Sequence, residues 1–291
     1  MKRTIIIGDV HGCHDELVAL LEKCEPRSTD QFVFVGDLVD RGPKSVEVVR
    51  SVQELADQHD VVVLEGNHEA KHRQYRKHLA NNSGIADIMT GTEGMGELTK
   101  VLSEEDVTFL ESFVLFHRIE EHDVLVVHGG IPGNMTEFPL TLEEVEDMSR
   151  NKRDAFLKIL YTRKIDAKTG KFLRLKESTD SDPFWAETYD GRFGHVVFGH
   201  EPFVEGFRKF PHATGIDTGA VFGGSLTAMV LEGTKPHQFI SVPSHFKFKY
   251  RKRRGKSRKK QKTLLGHLEV EGVPLNGDWV KEQCPEKPPG E

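Results

Sequence analysis

The 291-residue sequence predicts an α/β fold, and three observations carry that prediction. Short segments of β-branched and apolar residues at 4–7, 32–35 and 61–64 have the length and composition of buried strands. Each is followed by a turn containing glycine and acid, and each turn by a helical pattern, at 13–24, 43–57 and 69–80. Strand alternating with helix implies βαβ units and a mainly parallel sheet covered on both faces.

Within the second helix Pro43 suits the first turn, where a missing N–H costs nothing. Residues 85 to about 112 form a polar, helix-favouring stretch. Strands return at 124–127 and 196–198 and, with alternating character, at 226–231. Between them, 165–182 is polar and turn-rich, with Lys168-Thr169-Gly170-Lys171 as a hairpin turn or surface loop. No internal repeat is visible. The expected organisation is one folded body over 1–245, a basic connector over 246–262 and a tail over 263–291 that ends in a proline- and glycine-rich stretch.

With 37% hydrophobic residues, 30% charged residues and 27 glycines, the composition is that of a soluble globular protein and excludes disorder of the whole chain. The longest apolar runs, such as 124–127, fall far short of the roughly 18 residues a membrane span needs. Gly8-Asp9 interrupts the initial apolar stretch after three residues, so no secretory leader is expected and a cytoplasmic location is. Cys13, Cys24 and Cys284 are odd in number and lack C-x-x-C spacing, which argues against a disulfide framework or a thiolate zinc site. The net charge of -6 conceals an asymmetry: residues 247–262 hold 11 Lys or Arg and no acid, which leaves a strongly acidic body. Such a block often serves as an interaction tail.

The chemistry lies directly after the strands. Asp9 and His11 sit in GDVHG (8–12), Asp37, Asp40 and Arg41 in GDLVDRG (36–42), and Asn67, His68 and Glu69 in GNHE (66–69). His128 opens HGG (128–130), and His200 lies in GHE (199–201). In an open α/β sheet the ligand crevice lies beyond the carboxyl ends of the strands, so five turns deliver these side chains to one place. Oxygen and imidazole donors without thiolate fit Mn²⁺, Fe²⁺ or Zn²⁺ rather than Cu(I). Asp9, His11, Asp37, Asn67, His128 and His200 exceed the three protein ligands of a single catalytic zinc, so two ions bridged by one carboxylate are expected. Such pairs commonly hydrolyse phosphoesters. Arg41 can reach the same crevice with a fork that matches phosphate.

The ordered set of five motifs resembles the phosphoprotein-phosphatase branch of calcineurin-like metallophosphoesterases, over about residues 4–231. That resemblance implies a four-layer α/β/β/α sandwich. It implies Asp9, His11 and Asp37 as ligands of one metal, with Asp37 bridging to a second held by Asn67, His128 and His200. It makes His68 the general acid, held by Asp40, and places Arg41, Asn67 and a second arginine, for which Arg163 is the candidate, on the substrate phosphate. GNHE and HGG are similar to protein Ser/Thr phosphatases. The stretch from Phe184 to Gly191, with VVFGHEP (196–202) and 215–231, is similar to bacterial dinucleoside-polyphosphate hydrolases and their RNA-end or polyphosphate-cleaving relatives. His200 is followed by Glu201 where that second group more often has threonine.

The expected activity is direct hydrolysis of a phosphoester or phosphoanhydride by metal-bound hydroxide, with two divalent ions, manganese foremost and iron or zinc as alternatives. Dinucleoside polyphosphates are the leading substrates. A protein Ser/Thr phosphatase is the first alternative, and a catalytically silent polyanion-binding protein the second. The basic run Lys247–Lys262 is a candidate contact for RNA or polyphosphate through counterion release, and Phe246, Phe248 and Tyr250 either stack on bases or close the last strand on the core. Asp217 and the glycines at 219–224 read as close turns, and Cys13 as a small buried hydrophobe.

Overall fold

The computed structural model describes residues 3–89 and 94–248. The tail at 263–291, Cys284, Tyr250 and the basic run beyond Phe248 lie outside the described residues.

Two five-stranded sheets stack face to face. The first holds β1 (Arg3–Ile7), β2 (Gln31–Phe34) and β3 (Asp60–Val63) in parallel, with β11 (Ser225–Glu232) antiparallel to β1 and β12 (Gln238–Pro243) beyond it. The second centres on β5 (Val124–Val127), β8 (His195–Phe198) and β10 (Ala213–Gly215) in parallel, with β4 (Phe116–Ile119) and β9 (Arg208–Lys209) antiparallel at its edges. A hairpin of β6 (Lys164–Ile165) and β7 (Phe172–Leu173) stands apart. Its turn covers Lys168–Lys171, with Asp166 Oδ1 accepting the Lys168 and Thr169 N–H groups.

The period-2 alternation of each strand distributes its side chains between layers. Ile5, Ile7, Phe32 and Phe34 pack with Leu17 and Leu20 of α1 (His14–Cys24) and Val48, Val49 and Val52 of α2 (Ser45–Ala56). Ile6, Val33 and Val35 turn the other way and meet Val124, Val126 and Val197 of the second sheet. Leu125, Val127 and Phe198 face a third cluster with Trp185, Phe156 and Ile159. Three apolar interfaces between helices, two sheets and further helices make the predicted α/β/β/α sandwich. The stretch after α3 (Asn67–Ala80) forms α4 (Ile85–Ile88), α5 (Met95–Val101) and α6 (Glu104–Glu111), while α7 (Leu142–Glu146), α8 (Arg150–Phe156) and α9 (Trp185–Thr188) belong to the second sheet's side.

The sheets are mixed, where the sequence predicted mainly parallel pairing. The 226–231 segment pairs antiparallel with β1, and its hairpin partner β12 adds a second antiparallel pair at the edge. Strands β4 and β12 escape prediction because polar side chains interrupt their apolar runs, His117 and Arg118 in the first and Gln238 and Ser241 in the second. Pro43 precedes α2 instead of opening it: Gly42 donates its N–H to the His11 carbonyl and Lys44 to that of Gly12, which binds this turn to the neighbouring one. Past the expected boundary at 245, Phe246 and Phe248 pack against the first core cluster, and Phe248 donates its N–H to the Val221 carbonyl at 2.7 Å. Cys13 and Cys24 are free and buried, and burial pushes their thiols up to about 12 and about 11. Among the described residues no helix is long and apolar enough to cross a membrane.

Candidate metal centre

Because β1, β2 and β3 run parallel in one sheet and β5 and β8 in the other, their following turns converge at one end of the sandwich. Asp9, His11, Asp37, Asn67, His68, His128 and His200 are all buried there. His11, Asp37 and His68 offer ligand atoms within 4.8 Å of one another, and so do Asp37, His128 and His200. Asp37 is common to both groups. Its Oδ2 stands 3.4 Å from His11 Nε2 and its Oδ1 3.5 Å from His128 Nε2. Asp9 falls outside both groups, and its carboxylate accepts the His200 peptide N–H at 3.1 Å. Asn67 Oδ1 lies 3.0 Å from His128 Nε2, and its buried Nδ2 has no hydrogen-bond partner.

These donors fit divalent ions. His11 Nδ1 bonds the Val39 carbonyl at 2.8 Å and His128 Nδ1 that of Val35 at 2.9 Å, the outer hydrogen bond that orients a ligating imidazole. A proton on Nδ1 leaves Nε2 for an ion beside the Asp37 carboxylate; burial lowers His128, but the Asp37 charge outweighs it and holds this imidazole above the ordinary histidine range. Burial, then the Arg41 charge, holds His11 well below the ordinary histidine range, and burial, then Arg163, does the same for His200. Neutral imidazoles are the form that binds metal. Burial and the charges of Asp217 and Asp37 push Asp9 well up, while burial with Asp37 and Glu201 nearby pushes Asp217 up to about 6. A concentration of buried carboxylates that raises its own proton affinity is a demand for positive charge.

At the mouth, His68 Nδ1 lies 2.6 Å from Asp40 Oδ2, and His72 Nε2 lies 2.8 Å from Asp40 Oδ1. Burial alone would raise Asp40, yet the two histidines hold it well below the usual carboxylate range. Arg41 spans the opening, with Nη1 at 2.7 Å from His11 Nε2 and Nη2 at 3.0 Å from His68 Nε2. Arg163 enters from the other side: its Nη2 donates to the His200 carbonyl at 2.7 Å, and its Nε stands 2.7 Å from Glu201 Oε2.

The backbone is shaped to this purpose. His11, Asp37, Asp40, Arg41 and His200 all adopt positive φ, between 45° and 71°. A Cβ on Gly42 would overlap the His11 carbonyl oxygen, so only glycine lets these two turns touch. Glu69 ties the turns together by accepting the N–H groups of Asp37, Leu38, Val39 and Gly66.

Every site residue expected from the sequence is therefore at this end of the molecule. Sequence reasoning missed His72, the bonding role of Glu69, and Glu201. For His72 a signal exists, since it follows His68 by four positions on α3 and shares its face. Asp217, read as a turn residue, does accept the Gly219 N–H at 2.9 Å, and it also stands among the site's charges.

Comparison with known proteins agrees with this geometry. Curated relatives include "Bis(5'-nucleosyl)-tetraphosphatase PrpE [asymmetrical]" of Halalkalibacterium halodurans, 32% identical over 256 residues, which cover 82% of this chain and 93% of the relative. The Bacillus cereus protein of the same name is 31% identical over 261 residues, covering 84% and 95%. A crystal structure with a provisional assignment as a diadenosine tetraphosphatase superposes with a TM-score of 0.62 at 28% identity, covering 83% of this chain and 93% of that one. A protein serine/threonine phosphatase from Saccharomyces cerevisiae shares the fold, with a TM-score of 0.53 at 17% identity over 86% and 81% of the two chains. Residues 2–204 match the calcineurin-like phosphoesterase family model. With that match covering more than half the sequence and the converging turns supplying the donors such an enzyme requires, the chain belongs to the calcineurin-like phosphoesterases, metal-dependent hydrolases of phosphoester and phosphoanhydride bonds.

Proposed function

We propose that this enzyme hydrolyses dinucleoside polyphosphates of the diadenosine tetraphosphate type, using two divalent ions with manganese as the expected metal. The observation that carries the reading is Asp37 shared between two buried histidine groups beneath the Arg41 fork. The curated relatives' names support the substrate.

Asp9, His11 and Asp37 would hold one ion, and Asp37, Asn67, His128 and His200 the other. Bound ions would supply Lewis-acid polarisation of the phosphoryl oxygens and an acidified water. Arg41, whose two terminal nitrogens reach His11 and His68, would take two phosphate oxygens in parallel, with Arg163 and Asn67 on the opposite side. His68 gives its Nε2 proton to the leaving oxygen, while Asp40 accepts from Nδ1–H and stabilises the doubly protonated ring that precedes the transfer. In the cytoplasm, a folded body extending through Phe248 does this chemistry. The basic run Lys247–Lys262 adds contact with RNA or polyphosphate.

The test is hydrolysis of diadenosine tetraphosphate by protein stripped with a chelator and reloaded with Mn²⁺. Activity should vanish and return, and Asp37→Asn should lower kcat about 100-fold or more. A higher kcat/KM on a phosphoserine peptide would overturn the substrate. Wild-type rates no better than those of Asp37→Asn with any divalent metal would leave a polyanion-binding protein instead.

A further inference from the structure

Glu201 takes no part in the machinery above, yet it holds one of its arginines. The Arg163 side chain is only 10% exposed and is fixed from inside by the His200 carbonyl, whereas Glu201 is 36% exposed and comes to Arg163 Nε from the solvent side. Glu201 is therefore the half of the pair that can move. Glu201 directly follows His200, whose peptide N–H bonds the buried Asp9 carboxylate, so it adds negative charge beside that centre. The Arg41 and Arg163 guanidiniums repel one another across the same space, an arrangement that suits an anion between them.

We propose that Glu201 is a specificity-determining carboxylate that occupies Arg163 until a phosphoryl group of a longer phosphate chain displaces it. A substrate with one phosphoryl group, seated between Arg41 and Arg163, has only that group with which to displace Glu201 and works against its charge. A polyphosphate places its next phosphoryl group at the guanidinium, and phosphate oxygens carry more charge than a carboxylate and match the planar fork as well. Glu201 swings to water and retains its charge there. Selectivity for chains over monoesters then comes from competition for a single guanidinium.

This inference rests on the reading of Arg163 as a phosphate ligand, and the experiment separates the two. Full-length, Mn²⁺-loaded wild type, Glu201→Gln, Arg163→Ala and the double variant are compared for KM and kcat on p-nitrophenyl phosphate and on diadenosine tetraphosphate, and for Ki of inorganic phosphate. Glu201→Gln should lower Ki and the monoester KM about threefold or more, the scale of a partly exposed ion pair, with a smaller change in kcat and a reduced preference for the dinucleotide. Glu201→Asp should restore wild-type values, and the gain should disappear in the Arg163→Ala background. Unchanged or raised Ki in Glu201→Gln, or the same gain without Arg163, overturns the proposal. If Arg163→Ala alone leaves every KM and Ki unchanged, the phosphate-binding reading of Arg163 fails first. Should Glu201→Gln not fold, Glu201→Thr carries the same comparison.

Discussion

Asp40 accepts from two imidazoles, His68 and His72, and the second of these explains how the first can be held in one orientation. A carboxylate pinned by His72 on one oxygen cannot rotate away from His68 on the other. The acid role of His68 predicts a dependence on leaving group. His68→Ala should lower kcat about 100-fold or more on diadenosine tetraphosphate and by about tenfold or less on p-nitrophenyl phosphate, whose leaving oxygen departs without a proton. Equal losses on both substrates would sink the acid assignment. At this scale the sequence was informative because each ligand directly follows a strand, so position in the motif equals position in space. His72 was legible only through helical spacing. Glu201 was visible as a residue, but its contact with Arg163, 38 positions earlier, depends on where a separate loop folds.

The element that assembles the centre is the first turn of α3, where Glu69 closes the helix's own entrance by accepting the Gly66 N–H and reaches the turn after β2 with its other bonds. Glu69→Ala leaves four buried N–H groups unpaired, each costing about 1–3 kcal/mol if nothing replaces the bond. The expected result is a large fall in Tm and about 10- to 100-fold weaker Mn²⁺ binding, read by calorimetry and metal titration. An unchanged melting curve would show that Glu69 is dispensable to the turns. Nothing in GNHE reveals this, since three of the four bonds of Glu69 lead to residues 30 to 32 positions away. The placement of Pro43 is of the same kind: local preference favoured a helical first turn, and contact between Gly42 and the His11 turn overrode it.

Across the whole molecule, hydrophobic alternation made the layers legible, while the antiparallel edges were not, because pairing direction follows from connections and not from composition. The charge asymmetry has a structural counterpart: the described chain ends at Phe248, hydrogen-bonded to Val221 next to Phe222, whose ring lies 5.2 Å beneath the Arg41 guanidinium. The basic run thus begins close to Arg41. Truncation after Phe248 should preserve Tm and p-nitrophenyl phosphate turnover and abolish salt-sensitive binding to RNA or polyphosphate in a filter assay. Truncation after His245 should also lower Tm by several degrees, since it removes Phe246 and Phe248 from the core. Polyanion binding that survives the first truncation would clear the run of that role.

The five left-handed residues of the centre set a limit on how this enzyme can evolve. Each such conformation outside glycine costs of order 1–3 kcal/mol, so together they rival the net stability of an ordinary domain. Adaptation to heat through relaxed turns and adaptation to faster turnover therefore draw on the same residues, and a lineage can improve one there only at the expense of the other.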